Sequence, residues 1–171
     1  MLSEFKKVRV FIFDVDGVLT DGSLLLLEDG QWARRMNIKD GYALQLAIKT
    51  GYQVFVLSGS QSDAVMGRLQ KLGVQHIKMS VTDKVAQIKE WQSLHHFSLE
   101  ETLYMGDDIP DIAAMTIAGL PSCPSDAVDE VREKAKYVSH QSGGMGCVRD
   151  VIEKTLKLNG DWNDGTVTAS I

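Results

Sequence analysis

Two acidic clusters carry the chemistry this chain is able to do: Asp14-Val15-Asp16-Gly17 and Gly106-Asp107-Asp108-Ile109-Pro110-Asp111. Each directly follows a short apolar run. An isolated D-x-D-G is ordinary turn chemistry, since Asp and Gly both favour tight turns. A calcium loop would need acids or amides at its fifth position, Gly at its sixth and Glu at its twelfth, and this chain has Val18, Leu19 and Leu25 there. Two strands that both end in carboxylates repel one another unless a cation lies between them. Oxygen ligands without His or Cys suit Mg²⁺, which commonly recruits a phosphate as a further ligand.

Between the clusters lie Leu57-Ser58-Gly59-Ser60 and Thr82-Asp83-Lys84. Hydroxyls and backbone N–H groups after a strand cradle phosphate oxygens, and a lysine at a helix start supplies positive charge. Each is weak alone. In this order, each at a predicted strand's end, the four describe a site for phosphoryl transfer.

The elements that must position these groups follow from the apolar pattern. Val8 to Phe13 reads as a buried strand because it is β-branched and aromatic without alternation. Ser23 to Leu27 and Trp32 to Ile38 flank Glu28-Asp29-Gly30 and predict a β-hairpin over 23–38. A helix is expected after Asp40-Gly41, ended by Gly51. Then strands at 54–57, 74–79 and 103–105 alternate with helices at 62–72, 81–94 and 109–117. Leu120 opens a further strand or loop, and helices over 126–135 and 145–158 enclose a short strand at 137–138. This rhythm is that of an α/β protein with a parallel sheet covered on both faces. Ligands in such sheets bind at the carboxyl ends of the strands, where the order reverses. The length suits one domain, 1–158, followed by a tail, 159–171, without period.

The remaining composition mostly excludes. A net charge of −5 gives no electrostatic reason to expect nucleic acid or an anionic membrane. No apolar run is long enough to span a bilayer, and no secretory signal is visible. Cys123 and Cys147 have no metal-ligand spacing and fit packing roles in a reducing cytoplasm. The four histidines, His76, His95, His96 and His140, lack a partner at catalytic spacing.

Asp14-x-Asp16-Gly17, Ser58-Gly59, Lys84 and Gly106-Asp107-Asp108-x-x-Asp111 resemble the four motifs of the haloacid dehalogenase superfamily. That resemblance implies a three-layer Rossmann-like core. The spacing leaves room for a hairpin flap but not for an inserted cap domain. Among capless members the chain is similar to the 3-deoxy-D-manno-octulosonate (KDO) 8-phosphate phosphatases. The resemblance rests on Phe13 to Gly22, Asn37-Ile38-Lys39-Asp40-Gly41-Tyr42, Gly106-Asp107-Asp108, Gly143 to Arg149 and the final Ser170-Ile171.

The family implies Asp14 as nucleophile and metal ligand, Asp16 as general acid and base and as a ligand through its backbone carbonyl, and Asp107 as the third protein ligand of Mg²⁺. Ser58 and Lys84 would hold the phosphoryl oxygens, with Gly59 beside them and Asp108 and Asp111 behind the ligands. Asn37, Lys39, Asp40, Gly41 and Arg68 align with substrate-contacting positions. One position departs: Ser60 stands where the family usually has an arginine, expected to pair with a sugar-acid carboxylate. The resemblance makes KDO 8-phosphate the first expected substrate, and Ser60 brings a nine-carbon ulosonate 9-phosphate close behind it.

The family also implies a cytoplasmic homotetramer in which a neighbouring subunit covers the open site. Leu24 to Leu27 is the candidate interface strand, unless both its faces are buried within one chain, and the tail would enter the adjacent site. The rivals are three. A phosphorylatable receiver orders its Asp and Lys differently, a catalytically inactive interaction module would not need the retained Asp14, Asp16, Lys84 and Asp107, and a phosphomutase or phosphotransferase depends on a cap to exclude water.

Overall fold

The computed structural model describes residues 1–162. Its centre is a six-stranded sheet, all parallel, formed by β1 (Val10–Phe13), β4 (Gln53–Leu57), β5 (His76–Lys78), β6 (Thr102–Met105), β7 (Leu120–Cys123) and β8 (Tyr137–Val138), in the order β5-β4-β1-β6-β7-β8. β1 pairs with β4 on one side and β6 on the other. The order reverses there, so the crevice that such sheets use for ligands opens at the end of β1, where Asp14 follows.

Alternate residues of the buried strands serve two cores. Phe11, Phe13, Val54, Val56, Leu103 and Met105 face α1 (Leu2–Lys7), α2 (Ile38–Lys49), α3 (Asp63–Lys71) and α7 (Cys147–Asn159). Val10, Ile12, Phe55, Leu57 and Tyr104 face α4 (Lys84–His95), α5 (Ile112–Ile117) and α6 (Asp129–Lys134). The strands are buried on both sides, which is why their sequences lack alternation.

The starts of α2, α3 and α4 carry side-chain caps. Asn37 accepts from Lys39 N, Ser62 from Val65 N and Asp83 from Ala86 N. Because Asn37 caps α2, the helix already begins at Ile38, and Asp40 and Gly41 lie within its first turn rather than before it. The predicted hairpin is correspondingly shorter. Its paired arms are β2 (Leu25–Leu26) and β3 (Trp32–Ala33), and the Thr20–Met36 bridge closes its base. Leu24, Leu25, Leu26 and Leu27 are all exposed, as is Trp32, so burial of this run within one chain is not the solution adopted. α1 was not expected: at six residues it is too short to display a period.

The first residues beyond α7 are packed rather than frayed. Tyr52 Oη donates to Asp161 Oδ2 at 2.7 Å, and Trp162 lies under the Arg149 guanidinium, 5.3 Å from the ring centre. The expectation for the rest of the tail, 163–171, lies outside the described residues. Among the described residues no helix is long and apolar enough to cross a membrane. Among the described residues no cap domain interrupts the sheet.

Candidate active site

Asp14 leaves β1 with its N–H bonded to the Met105 carbonyl at 3.0 Å, so the sheet ladder continues to the nucleophile candidate itself. The chain then turns sharply at Gly17, whose φ is +82°. A Cβ there would fall 2.0 Å from Asp107 Oδ2. Only glycine lets the loop after β1 approach the loop after β6 this closely.

The approach gathers charge. Carboxylate oxygens of Asp14, Asp107 and Asp111 lie within 4.8 Å of one another. Lys84, the first residue of α4, places Nζ 2.7 Å from Asp14 Oδ1 and 2.6 Å from Asp111 Oδ1. Burial, then the Asp111 charge, pushes the Asp14 carboxyl up to about 7 despite Lys84. Burial, then Asp14 and Asp111, pushes Asp107 up to about 7 as well. Burial alone would lower the Lys84 ammonium, but its two carboxylate partners hold it above the usual lysine range. One ammonium does not balance three carboxylates, and a cation could balance the surplus.

Asp111 is committed elsewhere. Its Oδ1 accepts from Lys84 and, at 2.5 Å, from the buried Tyr104 hydroxyl, while its Oδ2 accepts from the N–H groups of Asp107 and Asp108. It anchors the lysine and the second acidic loop. Asp14 and Asp107 are the carboxylates left for an all-oxygen divalent site, a donor set that fits Mg²⁺.

Ser58 follows β4 and is buried, with its N–H bonded to the Lys78 carbonyl. Asp16 turns its carboxylate away from the cluster. Arg34 Nε donates to its Oδ1 at 2.6 Å and the Ser60 hydroxyl to its Oδ2 at 2.6 Å. These strand-end loops enclose a cavity of about 330 Å³ lined by Asp14, Asp16, Ser58, Gly59, Lys84 and Asp107 among others. The sequence reading missed Arg34 and Tyr104; the available signals were a basic pair, Arg34-Arg35, on an arm returning toward acids and a hydroxyl late in a buried strand.

The sequence profile of the haloacid dehalogenase-like hydrolases matches residues 76–149. A KDO 8-phosphate phosphatase, KdsC, of Yersinia pestis is 31% identical over 164 residues, covering 96% of this chain and 87% of the relative. The chain belongs to this phosphatase family. It is a phosphoric monoester hydrolase. A crystal structure of the 3-deoxy-D-manno-octulosonate 8-phosphate phosphatase from Yersinia pestis superposes with a TM-score of 0.94 at 29% identity, covering 99% of this chain and 91% of that one. The enzyme from Moraxella catarrhalis, solved in complex with magnesium, phosphate and KDO, gives 0.89 at 29% identity, covering 92% and 90%.

Within this phosphatase most of the expected substrate positions do not line the cavity; Gly59 and Lys84 do. The Asn37 side-chain oxygen caps α2. Asp40 is 2% exposed, and its Oδ1 accepts from Arg149 N at 2.7 Å, in the first turn of α7. Gly146, the cap residue of that helix, has no side chain, so Asp40 caps α7 from the neighbouring helix. Burial pushes its carboxyl up to about 6 against the helix N–H groups. Gly41 lets α3 approach, since a Cβ would lie 3.1 Å from Arg68 Nη2 and 3.2 Å from Leu72. Arg68 lines a separate groove beneath the hairpin with Trp32 and Met36, and Lys39 borders another cavity beside α7.

Proposed function

We propose that the enzyme is a Mg²⁺-dependent phosphatase of a sugar-acid phosphate, first KDO 8-phosphate, working through an aspartyl phosphate on Asp14. The observation that carries this reading is the buried Asp14 carboxylate held 2.7 Å from Lys84 beside Asp107, at the end of the central strand. The Moraxella relative's complex with magnesium, phosphate and KDO supports the metal and substrate class.

Asp14 attacks phosphorus in line as the bond to the sugar oxygen breaks, and Asp16 gives that oxygen a proton. Water then attacks the phosphorus, Asp16 takes its proton, and the Asp14 carboxylate is released. Lys84 and the Ser58 hydroxyl hold phosphoryl oxygens through both steps. Asp14, Asp107 and the Asp16 carbonyl would hold Mg²⁺, which when bound neutralises charge on the phosphoryl group. Asp108 and Asp111 support these groups from behind.

The domain is read as 1–158. The exposed leucines of the hairpin support a homotetramer in which a neighbour closes the site. Ser60 in place of the expected arginine favours the second substrate reading, a nine-carbon ulosonate 9-phosphate. A phosphate-release panel of eight- and nine-carbon ulosonate phosphates, with Mg²⁺ and with chelator, ranks the two. Asp14→Asn is expected to lose at least about a thousandfold in kcat. Release without Mg²⁺, or an active Asp14→Asn variant, removes the mechanism.

A further inference from the structure

Arg34 lies on the return arm of the hairpin, 18 residues from its partner Asp16. Its side chain is only 4% exposed, whereas that of Asp16 is 36% exposed. The carboxylate is therefore gripped from behind and open to the cavity in front. Arg34 Nε bonds Asp16 Oδ1 at 2.6 Å, and Nη2 reaches both Asp16 Oδ2 at 3.4 Å and Ser60 Oγ at 3.2 Å.

Proton bookkeeping fixes the rest. While Asp16 is a carboxylate, Ser60 gives its one hydroxyl proton to Asp16 Oδ2 at 2.6 Å. In that state its oxygen accepts, from Arg34 Nη2 and from the Ser58 hydroxyl at 3.1 Å. The Ser58 proton thus points at Ser60 until a phosphoryl oxygen claims it. Ser60 Oγ lies 3.2 Å from Arg34 Nη2, so an arginine at position 60 would bring a second positive charge to the same place.

We propose that Arg34 and Ser60 are positioning residues that together clamp the Asp16 carboxylate for proton transfer to the leaving oxygen. The inference rests on Asp16 being the general acid and base. As the P–O bond breaks, the Asp16 proton passes to the leaving oxygen and a carboxylate forms on Asp16. The clamp's donors already face both of its oxygens, so charge develops where hydrogen bonds await it. The arm that supplies the arginine belongs to the hairpin, which ties the order of that exposed element to turnover.

A proton matters to an alkoxide leaving group and hardly to para-nitrophenolate. The test compares kcat/KM, which reports steps up to leaving-group departure, for an alkyl sugar-acid phosphate, a carboxylate-free alkyl phosphate and para-nitrophenyl phosphate. Arg34→Gln is expected to lose about tenfold or more on both alkyl substrates beyond its loss on the aryl one. Arg34→Lys, keeping charge without the fork, should fall between, and Ser60→Ala should shift the ratio in the same direction.

Equal losses on all three substrates would reduce Arg34 to a structural prop and overturn the clamp. A KM rise confined to the carboxylate-bearing substrate would make Arg34 a substrate ligand and overturn it likewise. Asp16→Asn separates the two levels: without an alkyl–aryl split there, the acid assignment fails and the clamp with it. A split in Asp16→Asn but not in Arg34→Gln sinks the clamp alone.

Discussion

Asp14 and Asp107 combine two properties that conflict without a cation: they are needed as carboxylates, and burial pushes both up to about 7. A carboxyl whose folded pKa lies above its unfolded value keeps a proton in the fold that the unfolded chain has released. Its contribution therefore favours folding least at high pH, and stability falls as pH rises from about 4 to about 7. Asp40, at about 6, acts in the same direction. A divalent cation held by the deprotonated pair, as proposed above, would reverse the trend. At a hundredfold excess over its Kd it adds about 2.7 kcal/mol, or about 5–10 °C in Tm for a chain of this size. Calorimetry of the chelated protein should show Tm lower near pH 8 than near pH 5, with the Mg²⁺-induced rise larger near pH 8. A metal response of equal size at both pH values counts against the carboxylate pair as the site.

At the scale of elements, α2 and α7 meet through a residue that the pattern places before a helix. Asp40-Gly41 reads as the segment preceding α2, yet Asn37 starts the helix earlier and Asp40 is buried in its first turn. The cap it provides to α7 can be tested against the substrate role. Asp40→Ala should cost about 1–2 kcal/mol in chemical denaturation, Asp40→Asn much less because the amide oxygen still accepts, and both should leave kcat/KM within about twofold. A specific loss of kcat/KM would restore Asp40 to substrate binding.

β1 and β6 were legible because double burial writes itself as unbroken apolar runs, and Asp14, Asp107 and Lys84 because each sits one or two residues beyond such a run or opens a helix. Arg34 was not legible: the hairpin that delivers it has arms of two paired residues each, too short to fix a register from pattern. The role of Asp40 was hidden for a related reason, since its partner N–H lies 109 residues away.

For the whole molecule, the exposed Leu24–Leu27 run and Trp32 form an apolar edge that a lone chain leaves in water. Pairing of such edges between copies is the economical way to cover them. Leu25→Lys with Leu26→Lys should convert the assembly to monomers in sedimentation and raise KM for the sugar-acid phosphate by about tenfold or more, equivalent to about 1.4 kcal/mol of binding. A wild-type protein that sediments as a fully active monomer excludes the assembly.

The position of Asp14 near the chain's start, against partners at Lys84, Asp107 and Asp111, has a kinetic consequence. β1 gains its first sheet neighbour only from β4 and its second only from β6, so the metal-binding oxygens converge after loops of some 70 and 90 residues have closed. A metal bound by these oxygens should therefore act as a lock on the finished fold, slowing its opening without hastening its assembly; refolding and unfolding rates with Mg²⁺ and with chelator check this.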